Sequence, residues 1–304
     1  MRKVAVIGLG HVGITTAYTL FTHVAADEIM LIDLDKKRAE AEVNDLRDAV
    51  PRNDAYVNVV AGDYADLKDV DVIVTAYGSI AASAEKHDRF AELPINIKNS
   101  HQIGKMIKDS GFHGIIINVS NPCDAITYAL QESTGLPKEH VFGTGTFLDT
   151  ARMQRYVAEE VDEDPQSITG FALGEHGNSQ FIAWSTVEII NARPATELFD
   201  KAKQKELAER IRNGAFKVSN GKGFTSYAIA SCAYRMVQAV FADAKLLAPA
   251  SVYVPSVKTY IGHPALIGAA GVEEIPELEL TPQERQEFEQ SAAVIREHLA
   301  KYSE

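Results

Sequence analysis

KVAVIGLGHVGITTAYTLFT, residues 3–22, sets a short apolar run, Lys3 to Ile7, directly before Gly8-Leu9-Gly10-His11-Val12-Gly13, with a helix-like segment from Ile14 to Thr22 directly after. Strand, glycine turn and helix in that order are the context in which a G-x-G-x-x-G pattern carries meaning. Gly8 permits the tight turn, Gly10 lets the backbone approach a pyrophosphate, and Gly13 allows helix and strand to pack closely. The helix N-terminus offers the phosphates its N–H groups and the positive end of its dipole. A glycine turn that binds nothing is the competing reading, and the next strand weighs against it. Glu28 to Ile32 ends at Asp33, about 20 residues beyond Gly13, where an acid accepting from ribose hydroxyls is expected. A carboxylate there repels a 2′-phosphate, and Asp35 reinforces the repulsion, so the cofactor is read as NAD rather than NADP.

Outward from this unit, Val57 to Ala61, Val70 to Ala76 and Gly114 to Val119 are further apolar runs with helical material between them, and His140 to Phe142 is a sixth. Strands buried on both faces and alternating with helices predict an α/β fold with a doubly wound parallel sheet of Rossmann type. Ligands of such sheets sit beyond the carboxyl ends of the strands. Tyr64, Gly78 and Asn121 follow the third, fourth and fifth strands and are site candidates, Tyr64 having surface packing as an equal alternative. Gly78 is expected to allow close approach to the cofactor. After it, SIAASAEKHDRF is a loop of small residues that suits a lid, with Arg89 carried inward on closure. The helix that follows is expected to be kinked or divided by Pro94. Asn121-Pro122 reads as a tight turn that aims the asparagine amide into the cleft.

The parallel rhythm stops near Gly143, which predicts an NAD-binding unit over residues 1–143 and a mixed α+β substrate unit over 144–304. In the second unit Ile168 to Leu173 and Phe181 to Ile190 read as antiparallel strands, Thr225 to Ala242 as an amphipathic helix, and Ser251 to Val257 as short strands. Thr281-Pro282-Gln283-Glu284 supplies a capping box for a closing helix. His176, in GFALGEHGNSQF (residues 170–181), is the candidate proton carrier, since imidazole both gives and takes a proton near neutrality. As one of nine histidines it would otherwise be read as capping a turn. Asp149 is the candidate carboxylate that orients it. Arg152, three residues further on the same helical face, is either the partner of a routine intrahelical ion pair or a planar fork for a substrate carboxylate.

Composition excludes several classes. A formal charge of -12 over 304 residues argues against nucleic acid, which needs a basic face, and against an anionic membrane surface. Cys123 and Cys232 build no disulfide framework and stand in no metal-ligand spacing, so no metal is expected and a reducing cytoplasm is the natural compartment. The chain opens on a strand without a signal-peptide pattern, and no apolar run is long enough to span a bilayer.

GLGHVG, SNPCD, GTGTFLDTARMQ, LGEHGNSQF and GKGFTSYAIA, taken in order, resemble the L-lactate/malate dehydrogenase superfamily over nearly the whole chain. DRFAEL, SGFHG, LDTARMQR and EHGNSQFIAWSTV are most similar to its L-2-hydroxyisocaproate dehydrogenase branch. The resemblance implies His176 as acid/base, Asp149 as its partner, Arg152 on the substrate carboxylate and Arg89 polarising the carbonyl. It also implies Asn121 near the nicotinamide ribose and substrate, Val12 and Thr144 near the cofactor, Thr225 on the substrate wall, and a homo-oligomer, tetramer or dimer. Malate enzymes carry an extra lid arginine and lactate enzymes usually a glutamine, whereas this lid offers Ile80, Ala81, Ala82, Ser83 and Ala84. A second substrate carboxylate would be buried without a partner, so bulky aliphatic or aromatic 2-oxo acids are the expected substrates. An L-lactate dehydrogenase with a relaxed pocket is the nearest alternative. A non-catalytic NAD-sensing module is the alternative from another class, since fold alone does not dictate activity.

Overall fold

The computed structural model describes residues 1–78, 92–189 and 192–302. Along the first half, β1 (Lys3–Ile7) is followed by α1 (His11–Thr22), β2 (Glu28–Ile32), α2 (Lys36–Ala49), β3 (Asn58–Ala61), β4 (Val72–Thr75), α3 (Leu93–Asp109), β5 (Ile115–Asn118), α4 (Cys123–Thr134) and β6 (Val141–Gly143). These strands pair in parallel in the order β3-β2-β1-β4-β5-β6. The order reverses between β1 and β4, so the carboxyl ends of those strands open the crevice where a doubly wound sheet binds its ligand. Val4, Ile73 and Ile116, at the centre of the sheet, are fully buried, because helices cover both faces.

The second half continues with α5 (Phe147–Val161), β7 (Thr169–Leu173), β8 (Phe181–Ile189), β9 (Arg193–Pro194), α6 (Ala195–Leu198), α7 (Lys201–Arg212), α8 (Gly214–Lys222), α9 (Tyr227–Ala242), β10 (Leu246–Val254), β11 (Thr259–Gly268), β12 (Gly271–Glu274) and α10 (Pro282–Ala300). β7, β8 and β9 form a small antiparallel sheet. The region expected as short strands around Ser251 to Val257 is instead a long hairpin, β10–β11, that with β12 extends the large sheet. Ser251 of β10 pairs antiparallel with Gly143 of β6, so parallel pairing ends at residue 143 while the hydrogen-bonded sheet runs on. Pairing in this way covers the edge that β6 would otherwise leave open.

Two local expectations are corrected. α1 begins at His11, ahead of the expected Ile14, because Gly10 itself takes the N-cap position with extended backbone. Pro94 neither kinks nor divides its helix. It lies in the first turn of α3, where its missing N–H breaks no intrahelical bond. The capping box before α10 is present, with the Glu284 backbone donating to Thr281 and the Thr281 backbone donating to Glu284. No helix among the described residues is long and apolar enough to cross a membrane.

The glycine turn is where backbone sterics are tightest. Gly8 has φ +93, and a Cβ on Gly13 would lie 1.7 Å from the Gly8 carbonyl oxygen, whereas a Cβ on Gly10 would meet nothing within 4 Å. Gly13→Ala is therefore expected to destabilise the fold by about 3 kcal/mol, since the backbone of β1 must move away. Gly10→Ala should cost no more than about 1 kcal/mol, the difference between these residues at an N-cap. Urea unfolding of both variants checks this contrast, and equal losses would contradict it.

Candidate active site

The loop between β7 and β8 is held from three sides before it presents its histidine. At Gly174, φ +93, the backbone exchanges hydrogen bonds with Gly262 of β11 at 3.0 and 2.9 Å. The Glu175 N–H donates to Ser291 Oγ of α10 at 2.7 Å, and the buried Glu175 carboxylate accepts from the Ser179 N–H and hydroxyl. The His176 N–H donates at 2.8 Å to Asp124 Oδ2, whose other oxygen accepts from Ser251 Oγ at 2.6 Å. Burial pushes the Asp124 carboxyl up to about 6, against the opposing pull of Ser251 and the His176 N–H.

Asp149 enters from the first turn of α5, where a carboxylate is favoured by the helix dipole. Its side chain is fully buried, and His176 Nδ1 lies 2.5 Å from Oδ2. Arg152 Nη1 donates to Oδ1 at 2.7 Å. The intrahelical ion pair does not withdraw Arg152 from the site, because Arg152 also lines the cavity into which His176 faces. With Nδ1 engaged by the carboxylate, Nε2 is the ring nitrogen left to exchange a proton with a ligand.

The cavity holds about 500 Å³ at the carboxyl ends of β1, β4 and β5. It brings together Gly10, Val12, Gly78, Asn121, Thr144, Arg152, His176 and Thr225 from the sequence candidates. Asp149 stands behind His176, out of reach of a ligand. Gly8, Gly13, Asp33 and Tyr64 do not line it. Gly8 and Gly13 shape the turn beneath, and Asp33 closes β2 beside it, with Oδ2 accepting from the Leu9 N–H at 2.6 Å and Oδ1 from the Asp35 N–H at 3.0 Å. Tyr64 opens the short helix Tyr64–Asp69 after β3 and packs against the core, and burial pushes its phenol up to about 12. Thr225 precedes α9 rather than starting it. Arg89 and the lid residues Ile80 to Ala84 lie outside the described residues.

The residues present fit a dinucleotide. With glycine at the N-cap, no side chain caps the first turn of α1, and the space over Gly10 is open. Asp33 directly follows β2, the place in folds of this type where an acid faces the ribose, and its carboxylate is held by the Leu9 and Asp35 N–H groups. Among the described residues no group of His, Cys, Asp or Glu is arranged to hold a metal ion. A second depression, of about 510 Å³, is lined by Arg155, Glu159, Glu206 and Arg210, whose charges pair with one another on the surface.

Several residues at the site had no signal in the sequence reading. Asp124 stands in SNPCD, but its grip on the His176 backbone depends on a fold that brings α4 and the β7–β8 loop together. His11 stacks on Phe224 with centroids 3.7 Å apart, joining the glycine turn to the loop that carries Thr225. Phe216, Leu148 and Ile229 add an apolar wall. Gln180 reaches Asp149 from the residue before β8, its amide nitrogen toward the carboxylate.

Two family models match, lactate/malate dehydrogenase, NAD binding domain, over residues 2–143, and lactate/malate dehydrogenase, alpha/beta C-terminal domain, over residues 146–304. L-lactate dehydrogenase 1 of Bifidobacterium longum is 36% identical over 308 residues, which cover 98% of this chain and 96% of the relative. Among solved structures, the minor L-lactate dehydrogenase of Enterococcus mundtii in its ligand-bound form superimposes with a TM-score of 0.94 at 32% identity, over 99% of this chain and 98% of that one. MGS-M5, a lactate dehydrogenase from a Medee basin deep-sea metagenome library, gives 0.94 at 31% identity over the full length of both chains. The chain belongs to the lactate/malate dehydrogenase family and is an NAD-dependent L-2-hydroxy acid dehydrogenase.

Proposed function

We propose that the protein reduces bulky aliphatic or aromatic 2-oxo acids, of the 2-oxoisocaproate kind, to L-2-hydroxy acids, with His176 and Asp149 as the acid/base pair. The observation that carries this reading is the buried Asp149 carboxylate bound at once to His176 Nδ1 and to Arg152, at the wall of a cavity beside the glycine turn. Bound NADH supplies the hydride that the carbonyl carbon accepts. His176, as imidazolium, gives its Nε2 proton to the carbonyl oxygen and is left neutral, so one hydride and one proton turn the ketone into a hydroxyl. Asp149 holds the ring in the tautomer and orientation this requires. Arg152 keeps one nitrogen on Asp149 and offers the rest of its fork to the substrate carboxylate.

Gly10, Val12 and Thr144 are placed against the cofactor, with Asp33 toward its ribose and Tyr64 on that same side. Gly78 and Asn121 stand between cofactor and substrate, and Thr225 on the substrate wall. Arg89 is assigned to the carbonyl from the resemblance, as the group that stabilises the charge developing on oxygen. We further take residues 1–143 as the cofactor-binding unit, 144–304 as the substrate unit, and the working form as a cytoplasmic homo-oligomer.

The preference for bulk is supported by Leu148, Phe216 and Ile229 in the cavity wall and by a lid sequence with neither arginine nor glutamine at Ile80 to Ala84. A second reading, pyruvate reduction, is favoured by the names of the relatives, which are L-lactate dehydrogenases.

His176→Asn should lower kcat about 1,000-fold, the range of a lost acid/base group, while NADH affinity by fluorescence titration stays within about threefold. Normal turnover by that variant would remove the central role. Across 2-oxoisocaproate, phenylpyruvate, pyruvate and oxaloacetate, kcat/KM is expected to be highest for the first two. A preference for pyruvate would install the second reading, and one for oxaloacetate would refute the lid argument.

A further inference from the structure

A buried carboxylate accepts hydrogen bonds and donates none, so every polar group against Asp149 must face it with a hydrogen. Gln180, buried directly before β8, brings its carboxamide to that carboxylate. Only with nitrogen toward Asp149 does the amide meet an acceptor, and it then stands 3.0 Å from both Oδ1 and Oδ2. The opposite orientation would set amide oxygen against carboxylate oxygen between two buried side chains, which is strongly unfavourable. Asp149 thus receives charge-assisted bonds from Arg152 on Oδ1, from His176 on Oδ2, and from Gln180 across both.

We propose that Gln180 is a positioning residue for the acid/base pair, a neutral third donor that draws charge from Asp149 and thereby sets the pH at which His176 exchanges its proton. The proposal rests on the His176 and Asp149 roles given above. Its physical content is the competition for one carboxylate. The strength with which Asp149 holds an imidazolium falls as other donors share its charge, and a carboxamide shares it without adding a charge of its own. Among the described residues, five further charged or titratable groups stand near the pair. Arg152 is a fixed cation on the same helix. Asp124, on α4, faces the His176 backbone and is tied to Ser251. Glu175 is turned to Ser179. Glu92 lines the same cavity. The Cys232 thiol on α9, near Asp149 and Arg152, is held protonated by burial up to about 12. None of these is removed when Gln180 is changed.

The sign follows directly. Removing the third donor concentrates charge on Asp149 and stabilises imidazolium, so the His176 transition moves to higher pH. Reduction, which needs imidazolium, persists to higher pH, and oxidation of the 2-hydroxy acid, which needs neutral imidazole, begins later. Gln180→Met keeps the bulk without the donor, and Gln180→Ala removes both. We expect each to raise the midpoint of the kcat/KM profile for 2-oxo acid reduction by about half a pH unit or more, the scale of one lost charge-assisted bond shared among the donors. NADH affinity should stay within about twofold.

The same shift is to be read without turnover by titrating the His176 ring resonances in the NADH-free protein. In the unmutated protein the Gln180 side-chain amide protons should be protected from exchange and follow the His176 titration. A midpoint unmoved in both variants, whether or not kcat falls, overturns the proposal and leaves Gln180 a packing residue. If neither variant folds, a Gln180 amide that exchanges freely or ignores the His176 titration overturns it as well. An unmutated protein that reduces no 2-oxo acid would sink the functional reading instead, with the ring titration still deciding the role of Gln180.

Discussion

The buried carboxylate of Asp149 is the constraint around which the site is built. An ionised carboxylate without exposure is tolerated only when donors surround it, and here the donors come from two chain segments: Arg152 from the same helix, and His176 and Gln180 from the loop before β8. Each donor is thereby fixed by the acceptor it satisfies. The imidazole cannot turn over without leaving a buried charge short of a partner, so its orientation toward the cavity follows from electrostatics as much as from packing.

Holding that arrangement requires the two halves of the chain to be joined firmly. The β10–β11 hairpin does this by continuing the large sheet, and the same hairpin supplies Gly262, which pins Gly174, and Ser251, which donates to Asp124. Asp124 then holds the His176 backbone while Ser291 of α10 holds that of Glu175. The loop that carries His176 is therefore clamped to the sheet edge and to the last helix, which explains how a segment with few residues of regular structure can present one side chain to a cavity lined by both halves of the chain.

How much of this was legible in the sequence depended on whether the signal was local. The glycine turn, each strand and the capping box at Thr281 rest on residues adjacent in the chain, and Asp33 on its spacing from the glycine turn, and the structure sets them there. Asp149 and Arg152 were readable as a pair because a helix fixes their separation. The continuation of the sheet by β10–β12 was not readable, since nothing in residues 246–274 states which edge they join. Gln180 and Asp124 were missed for the same reason: a glutamine four residues after a histidine, or an aspartate opening a helix, acquires its role only from a partner brought near by tertiary structure. Pro94 misled through a rule that is correct inside a helix and void in its first turn.

The charge of the whole chain sharpens what the site must do. A protein of formal charge -12 repels a 2-oxo acid at long range, so capture depends on cations placed where water is excluded and screening is weak. Arg152 is already bound to Asp149, an anion that offsets part of its charge. Yet a guanidinium carries five N–H donors in one plane, and a single nitrogen on Asp149 leaves the others to form a paired contact with a second carboxylate. An ammonium in that place would have to choose between the two. With Arg152 and His176 in their proposed roles, the tether to Asp149 is an advantage: it fixes the plane of the fork before substrate arrives, and it couples the proposed carboxylate-binding group to the proposed proton carrier through one shared, fully buried anion.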